Sequence, residues 1–455
     1  MHPPSHTGIA RRTFLKQSAA AAAPMILASR VPGAAGGTAP NERIRVAMIG
    51  TGRQVFYANL PLFLGSKEVE VVAVCDVDAW RVDQARKRVE EHYADHKSGT
   101  WKGCTTHRDF REVLAREDVD AVMISTPDHW HAYMAVEAAK AGKDIALEKP
   151  ISLTVAEGRA IAEAVKKHGR IFRTDTEVRG NRNFQRLCQV VRNGRIGKVR
   201  RVSAGVPRNR APLKRAAAPP MPVPPDLDYE LWLGNAPERP YTHQRVHFPK
   251  AGLDYSGKSA PGWLQITDYS LGVMLNWGTH IIDIVQWALD AEGTGPVEVE
   301  CSAGFPGEEF LWDVPTRFEA RYRYADGIEL SYSDAGRPFV RIEGTDGWIE
   351  NTWFQSTGFK ASDPALLKWQ PGPDEIRLPL LGEKTDFIES VRSRKETLVP
   401  AEAGHRTATI CQIGYIAATL GRKLKWDPAA EKFAADDEAN RLLTRPMRAP
   451  WRVEV

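Results

Sequence analysis

The stretch that most constrains this chain is IRVAMIG, Ile44–Gly50, followed at once by TGRQV. It is a short run of buried-strand residues ending in a glycine. After one helix-length segment comes a second such run, VEVVAVCDVD, Val69–Asp78, which ends in acidic residues. That order predicts strand, glycine turn, helix, strand, the opening unit of a doubly wound parallel sheet. Gly50 permits the tight turn, and Gly52 lets the backbone approach a pyrophosphate held at the following helix N-terminus. Asp76 falls where a carboxylate accepts hydrogen bonds from an adenine-ribose 2′-hydroxyl. The third glycine position is Val55, which bears on helix–strand packing more than on phosphate contact. An acidic residue at the ribose favours NAD, since a 2′-phosphate would be repelled. Arg53 and Arg81 are near enough in sequence to keep NADP as the alternative.

The pattern continues. DAVMISTP, Asp120–Pro127, runs into a helical stretch with Asp128 near its start and Gly142 after its end, and IALEKP, Ile145–Pro150, reads as the next strand. Ligands in such sheets sit outside the carboxyl ends of the strands. Thr126, Pro127 and Lys149 fall at those ends. His129 and His131 are two apart at a helix start and do not share a face, so no metal site is expected from them.

The remaining bulk properties narrow the setting. Of 455 residues, 42% are apolar and 26% charged, enough for two domains with full cores. The formal charge of +5 is concentrated in residues 1–40, where Arg11, Arg12, Lys16 and Arg30 stand without an acidic residue. The rest is close to neutral, which argues against nucleic acid or an anionic membrane as partner. Five scattered cysteines show no metal-ligand spacing. RRTFLK, Arg11–Lys16, precedes a small-residue, weakly apolar run and then GAAGG. A charged start, a short apolar core and small residues describe an export signal, too short for a membrane span of about 20 residues. The arginine pair resembles a twin-arginine signal. Residues 1–40 are therefore expected to be a signal and linker, and the mature protein to be periplasmic or otherwise exported, without stable membrane insertion.

LNWGTHIID, Leu275–Asp283, places Asn276, His280 and Asp283 at spacings of four and three. On a helix these share one face. Trp277 and Trp287 crowd the stripe, which suggests a pocket instead of bulk solvent.

Taken together, GTGRQ, STPDHWH, LEKP and NWGTHIIDIVQWAL resemble the glucose–fructose oxidoreductase/inositol dehydrogenase (Gfo/Idh/MocA) family. The likeness covers essentially all of the chain after the signal, including Val391–Thr409 and Asp436–Trp451. It implies an α/β protein: a Rossmann domain over residues 41–167, then an α/β domain over 168–455 built on a large, mostly antiparallel open sheet. That sheet often forms homodimers or homotetramers in the family. Val297–Ser302, Thr316–Tyr324, Ile328–Ser333 and Val340–Glu343 read as its strands. Carried over by motif, Gly50, Gly52, Arg53, Gln54, Asp76 and Arg81 would hold the cofactor from the first half of the domain. Thr126, Pro127, His131, Glu148 and Lys149 would do so from the second. Lys149 and His280 would flank the reacting carbinol, and Asn276 stands where many members carry aspartate. Arg179 is expected near the nicotinamide or substrate.

Oxidising a secondary alcohol needs a hydride acceptor and a base for the hydroxyl proton. His280 suits the base, and Lys149 would stabilise developing alkoxide charge. Asn276 cannot accept a proton and can only orient its neighbours. Asp283 either tunes the imidazole or faces solvent. The proline-rich stretch Gly205–Trp263 is long for a loop, and offers Trp232, Tyr241, His243, His247, Tyr255 and Trp263, the last two expected at substrate. It would be either a cover over the site or an arm packing on a neighbouring subunit. The resemblance thus implies an exported enzyme with tightly held NAD (NADP the alternative) that oxidises a sugar, sugar derivative or cyclitol. A hydrolase or lyase using transient oxidation is a second reading, and a ligand-sensing scaffold a third.

Overall fold

Six strands, all but the edge strand β3 almost wholly buried, form the first sheet: β1 Ile44–Ile49, β2 Val69–Cys75, β3 Thr105–His107, β4 Ala121–Ile124, β5 Asp144–Glu148 and β6 Phe172–Asp175. The structure, a computed structural model, describes residues 42–96, 101–253, 261–353 and 358–455. The expected export signal and Tyr255 lie outside these. Residues 43–455 form one unit.

The first sheet is all parallel, in the order β3-β2-β1-β4-β5-β6. Its near-continuous apolar runs follow from helices covering both faces. The order reverses between β1 and β4, so a crevice opens where their carboxyl ends separate. The expected division at 167/168 falls at the end of the helix Val155–His168, but β6 pairs in parallel with β5 and carries the sheet on to Asp175.

The second sheet has nine strands. β7 is Val199–Gly205, β8 Glu298–Gly304, β9 Arg317–Arg323, β10 Glu329–Ser333, β11 Phe339–Gly344 and β12 Trp348–Asn351. The short strands β13 Lys360–Ala361, β14 Leu424–Asp427 and β15 Lys432–Phe433 complete it. Their order is β13-β12-β11-β7-β10-β9-β8-β14-β15, antiparallel except where β10 runs parallel to β7. β9, RFEARYR, alternates strictly: Phe318, Ala320 and Tyr322 point inward and the charged residues outward. The inner face packs under the helices Gly278–Leu289 and Ala401–Leu420.

The C-terminal region does not stay with the second sheet. The helix Glu383–Ser393 returns to the first and buries Phe387 and Ile388 in its core. Asp386 accepts a hydrogen bond from the buried Arg173 of β6 at 2.7 Å. Arg445 reaches Glu157 at 2.9 Å.

Candidate active site

Gly50 has φ +83°, and a Cβ there would lie 2.6 Å from the carbonyl oxygen of Ser125 at the end of β4. Both the turn and the neighbouring strand therefore exclude a side chain. A Cβ on Gly52 would meet nothing within 4 Å, because the residue faces a cleft of about 570 Å³ at the crevice. Asp76, at the end of β2, lines the same cleft. It accepts the Thr51 amide at 2.6 Å and the Asp78 amide at 3.0 Å, which braces the glycine turn. Burial raises its pKa above the usual carboxylate value. The turn leads into a π-helical stretch, Val55–Asn59, before the α-helix Leu60–Leu64. Val55 packs into the core as expected. Asn59, which the sequence reading missed, donates to Ser125 Oγ at 3.0 Å and to Glu148 Oε1 at 2.9 Å, and so ties the ends of β4 and β5 together.

A tight glycine turn, an unfilled space over Gly52 and a carboxylate at the second strand end fit a dinucleotide. Thr126 adds a buried hydroxyl oxygen with no hydrogen-bond partner in the same cleft wall. Arg53, Gln54, Pro127 and Glu148 also line the cleft, and burial pushes Glu148 up to about 6. Arg81 reaches it too, but its guanidinium bonds His247 at 3.2 Å and the Ala251 carbonyl at 2.7 Å. His131 is a correction. It lies beneath the cleft, its ring nitrogens 2.7 Å from the Pro150 carbonyl and 2.9 Å from that of Thr126. It holds the two strand-end loops together and is absent from the cleft lining.

At the other end, Lys149 Nζ donates to Asn276 Oδ1 at 3.0 Å, and both residues line the cleft with His280. Asn276 ends a short helix, Val273–Asn276, Trp277 forms the joint, and His280 stands on the next helix, Gly278–Leu289. His280 Nδ1 donates to the Thr176 carbonyl at 2.6 Å. A carbonyl only accepts, so the proton sits on Nδ1 and Nε2 carries the lone pair. Burial, reinforced by the Lys149 charge, lowers the imidazole to about 3, which keeps it neutral. Trp277 and Trp353 pack edge-on against the ring.

Asp283 and Arg179 are corrections. The helix from Gly278 is buried on every side, so one turn beyond His280 the polar stripe points into protein and not into the cleft. There Asp283 takes both Nε and Nη2 of Arg179, at 3.0 and 2.6 Å, with neither residue more than 2% exposed. Arg179 also binds Glu292 at 2.6 Å and the Leu398 carbonyl. Neither residue lines the cleft. Asp283 instead accepts the Thr176 hydroxyl at 2.9 Å, and so acts on His280 through that threonine.

Residues from 205–253 and 261–263 cover the cleft. Asp226–Asp228 docks on the end of β2, with Asp228 N donating to the Val77 carbonyl at 2.9 Å. Trp232, His247 and Trp263 face the cavity. Tyr241 is buried in the cover's own core, and His243 packs beside it. Sequence reasoning also missed Asp128 and Glu177 in the cleft wall. Burial pushes Asp128 up to about 7, and its Oδ2 has no hydrogen-bond partner. Glu177 sits in the left-handed region, φ 61°, and its pKa is raised by burial. The one sequence signal for Asp128 was its place directly after the strand-end STP.

Residues 44–176 match a family model described as "Oxidoreductase family, NAD-binding Rossmann fold", and residues 210–453 one described as "Oxidoreductase family, C-terminal alpha/beta domain". A glycosyl hydrolase family 109 protein of Saccharopolyspora erythraea is 33% identical over 204 residues, 42% of this chain and 44% of that protein. The chain thus spans less than half the length of the curated relatives it matches. Two solved structures share the fold. GenD2 from gentamicin A biosynthesis, in complex with NAD, has TM-score 0.61 and 16% identity over 88% of this chain and 99% of that one. An aldose-aldose oxidoreductase from Caulobacter crescentus, complexed with glycerol, has TM-score 0.60 and 18% identity over 84% and 99%.

Proposed function

Because the chain belongs to the Gfo/Idh/MocA oxidoreductase family, we propose that it oxidises a secondary alcohol of a sugar, sugar derivative or cyclitol with NAD. The observation that carries this is the pairing of two groups at one end of the cleft: a neutral His280 fixed in one tautomer, and the Lys149 ammonium held by Asn276. The Gly50–Gly52 turn, Asp76 and the Thr126–Pro127 loop would hold NAD, which when bound would supply the hydride acceptor. The chain supplies the rest. His280 receives the hydroxyl proton at Nε2. Lys149 stabilises the alkoxide charge as it develops, which lets so weak a base suffice. Asn276 fixes the ammonium without neutralising it. The cover and its tryptophans exclude water and offer aromatic faces to the C–H faces of a ring.

A second reading is transient oxidation followed by cleavage of a glycoside. It is favoured by the family 109 relatives and by Asp128, whose buried carboxyl near neutrality gives the cleft a further proton carrier beyond what a plain dehydrogenase needs. Release of the nucleotide from denatured purified protein, then a screen of sugars, cyclitols and glycosides, tests both. Accumulation of a ketone with reduced nicotinamide supports the first reading. Glycoside cleavage without net reduction supports the second, and a protein that yields no nicotinamide nucleotide fits neither.

Export through the twin-arginine route, with cofactor loaded before transport, is part of the proposal. It is supported by RRTFLK and the small-residue run after it. Cell fractionation of an Arg11→Lys, Arg12→Lys double variant tests it, since normal export of that variant would overturn it. Assembly as a homodimer or homotetramer through the open sheet is likewise proposed, and sedimentation measures it.

A further inference from the structure

A second cavity, of about 590 Å³, lies between the segment Ala58–Ser66 and the start of the helix Glu383–Ser393, with Glu177 and Gly180–Arg182 closing one side. We propose that it is a subsite for a neutral sugar ring remote from the carbon being oxidised, a proposal that rests on the carbohydrate reading above.

Three observations point to an occupant. Glu177 stands in the wall of both this cavity and the cleft, in a backbone conformation that a glutamate rarely adopts. Two parts of one ligand could therefore meet across it. Glu383, only 8% exposed, lines the cavity, and its Oε2 has no hydrogen-bond partner. Arg173 Nη1 stands 3.8 Å from that oxygen, and Lys384 Nζ pairs with the other, Oε1, at 3.3 Å. A buried carboxylate oxygen left without a donor is costly, and a ligand hydroxyl would supply one. Finally, Leu62 is 50% exposed and, with Ile388, gives the wall an apolar patch suited to the C–H face of a ring.

The charges argue for a neutral ligand. Lys384 is bound to Asp175 and Glu383, and Arg173 to Asp175 and Asp386. Arg182 shares the wall with three carboxylates, Glu68, Glu177 and Glu383, which disfavour an anion. The π-helical stretch after the glycine turn, a feature often found at functional sites, puts Tyr57 in the wall of the cleft and Ala58 in the wall of this cavity.

The test is isothermal titration of the full, NAD-loaded chain with methyl glycosides of glucose, galactose and their N-acetylamino counterparts, and with disaccharides of the same sugars. At least one disaccharide is expected to bind about tenfold more tightly than its methyl glycoside. Leu62→Asp, which puts a charge in the apolar patch at a half-exposed position, and Glu383→Gln are each expected to cut that advantage to about twofold or less. Thermal melting checks that each variant is folded, and Leu62→Asp stands as the independent variant. An unchanged disaccharide advantage in folded Leu62→Asp would overturn the subsite while leaving the carbohydrate reading intact. So would equal affinity for one and two rings in the wild type. Absence of binding by every sugar would instead bring down the carbohydrate reading, and the subsite with it.

Discussion

Thr176 anchors His280: its carbonyl takes the imidazole Nδ1–H at 2.6 Å, while its hydroxyl donates to Asp283 at 2.9 Å. Orientation and tautomer of the proposed base are therefore set from behind, by a residue outside the helix that carries it. His280→Ala is expected to lower kcat about 10²–10⁴-fold, or about 3–5 kcal/mol of barrier, with NAD still bound. Steady-state kinetics and nucleotide content check this. A folded, loaded variant with normal turnover would remove His280 from the chemistry.

Because His280 must be neutral to take a proton, activity is expected to fall as acid titrates it. Its pKa of about 3 places that limb of the kcat/KM profile below the ordinary histidine value of about 6.5. Lys149 contributes to the lowering. Asn276→Asp would partly neutralise the ammonium it now holds, and should move the limb toward neutrality. Lys149→Met should move it the same way and also depress kcat. A limb unmoved in both variants would separate His280 from the Lys149–Asn276 pair.

The Arg179–Asp283 pair is expected to matter for stability first. Arg179→Met strands a fully buried carboxylate and should cost about 3–5 kcal/mol in urea unfolding. Asp283→Asn should cost less, because Glu292 still pairs with Arg179. A substrate-binding arginine would instead raise KM at unchanged stability.

Asp76→Ala is expected to weaken NAD binding more than NADP binding, the role proposed for the carboxylate being to accept from the 2′-hydroxyl and repel a 2′-phosphate. Calorimetry on cofactor-free protein reads the ratio. Equal loss of both would leave Asp76 as a brace for the Thr51 amide alone.

Stability should also depend on acid through buried histidines. Burial holds His129 at about 3 and His131 at about 4, below the unfolded value of about 6.5. Between those values the unfolded chain binds protons that the folded chain refuses. Their stabilisation is complete above about pH 6.5 and drains away as the pH falls. Asp128, pushed up to about 7 by burial, acts in the opposite sense. It stays protonated in the fold, so its contribution to stability is lost as the pH rises from about 4 through 7. The two effects offset in part, and a difference measurement isolates the histidines. His129→Gln should flatten the acid side by up to about 1.4 kcal/mol per pH unit relative to wild type. Parallel urea curves at pH 7 and 4.5 for the two proteins would deny it.

The parts of this architecture that were legible in sequence were those written in periodicity and in backbone demands. RFEARYR alternates because one face of β9 is packed and the other is open. Gly50 is readable because few other residues tolerate its φ. The roles of Arg179, Asp283 and His131 were not readable. In sequence, a charged or polar side chain looks the same whether it meets ligand, water or a partner far along the chain. Arg179 finds Asp283 at a separation of 104 residues, and only the fold brings them together. Glu177 and Asp128 escaped for the converse reason, being ordinary acids in sequence whose significance lies in what buries them.

The return of the C-terminal segment to the first sheet has a consequence for biosynthesis. Residues from Asp386 to Arg445 brace β6 and the helix after β5, at separations of 213 and 288 residues. As the chain leaves the ribosome, the nucleotide-binding sheet has all its strands long before it has these supports. Its completion waits until residues as far along the chain as Arg445 have been translated. Contacts so far apart in sequence form slowly, so a nascent first half spends a long interval with an unfinished flank, the stage at which a chain of this design depends most on being kept from aggregating.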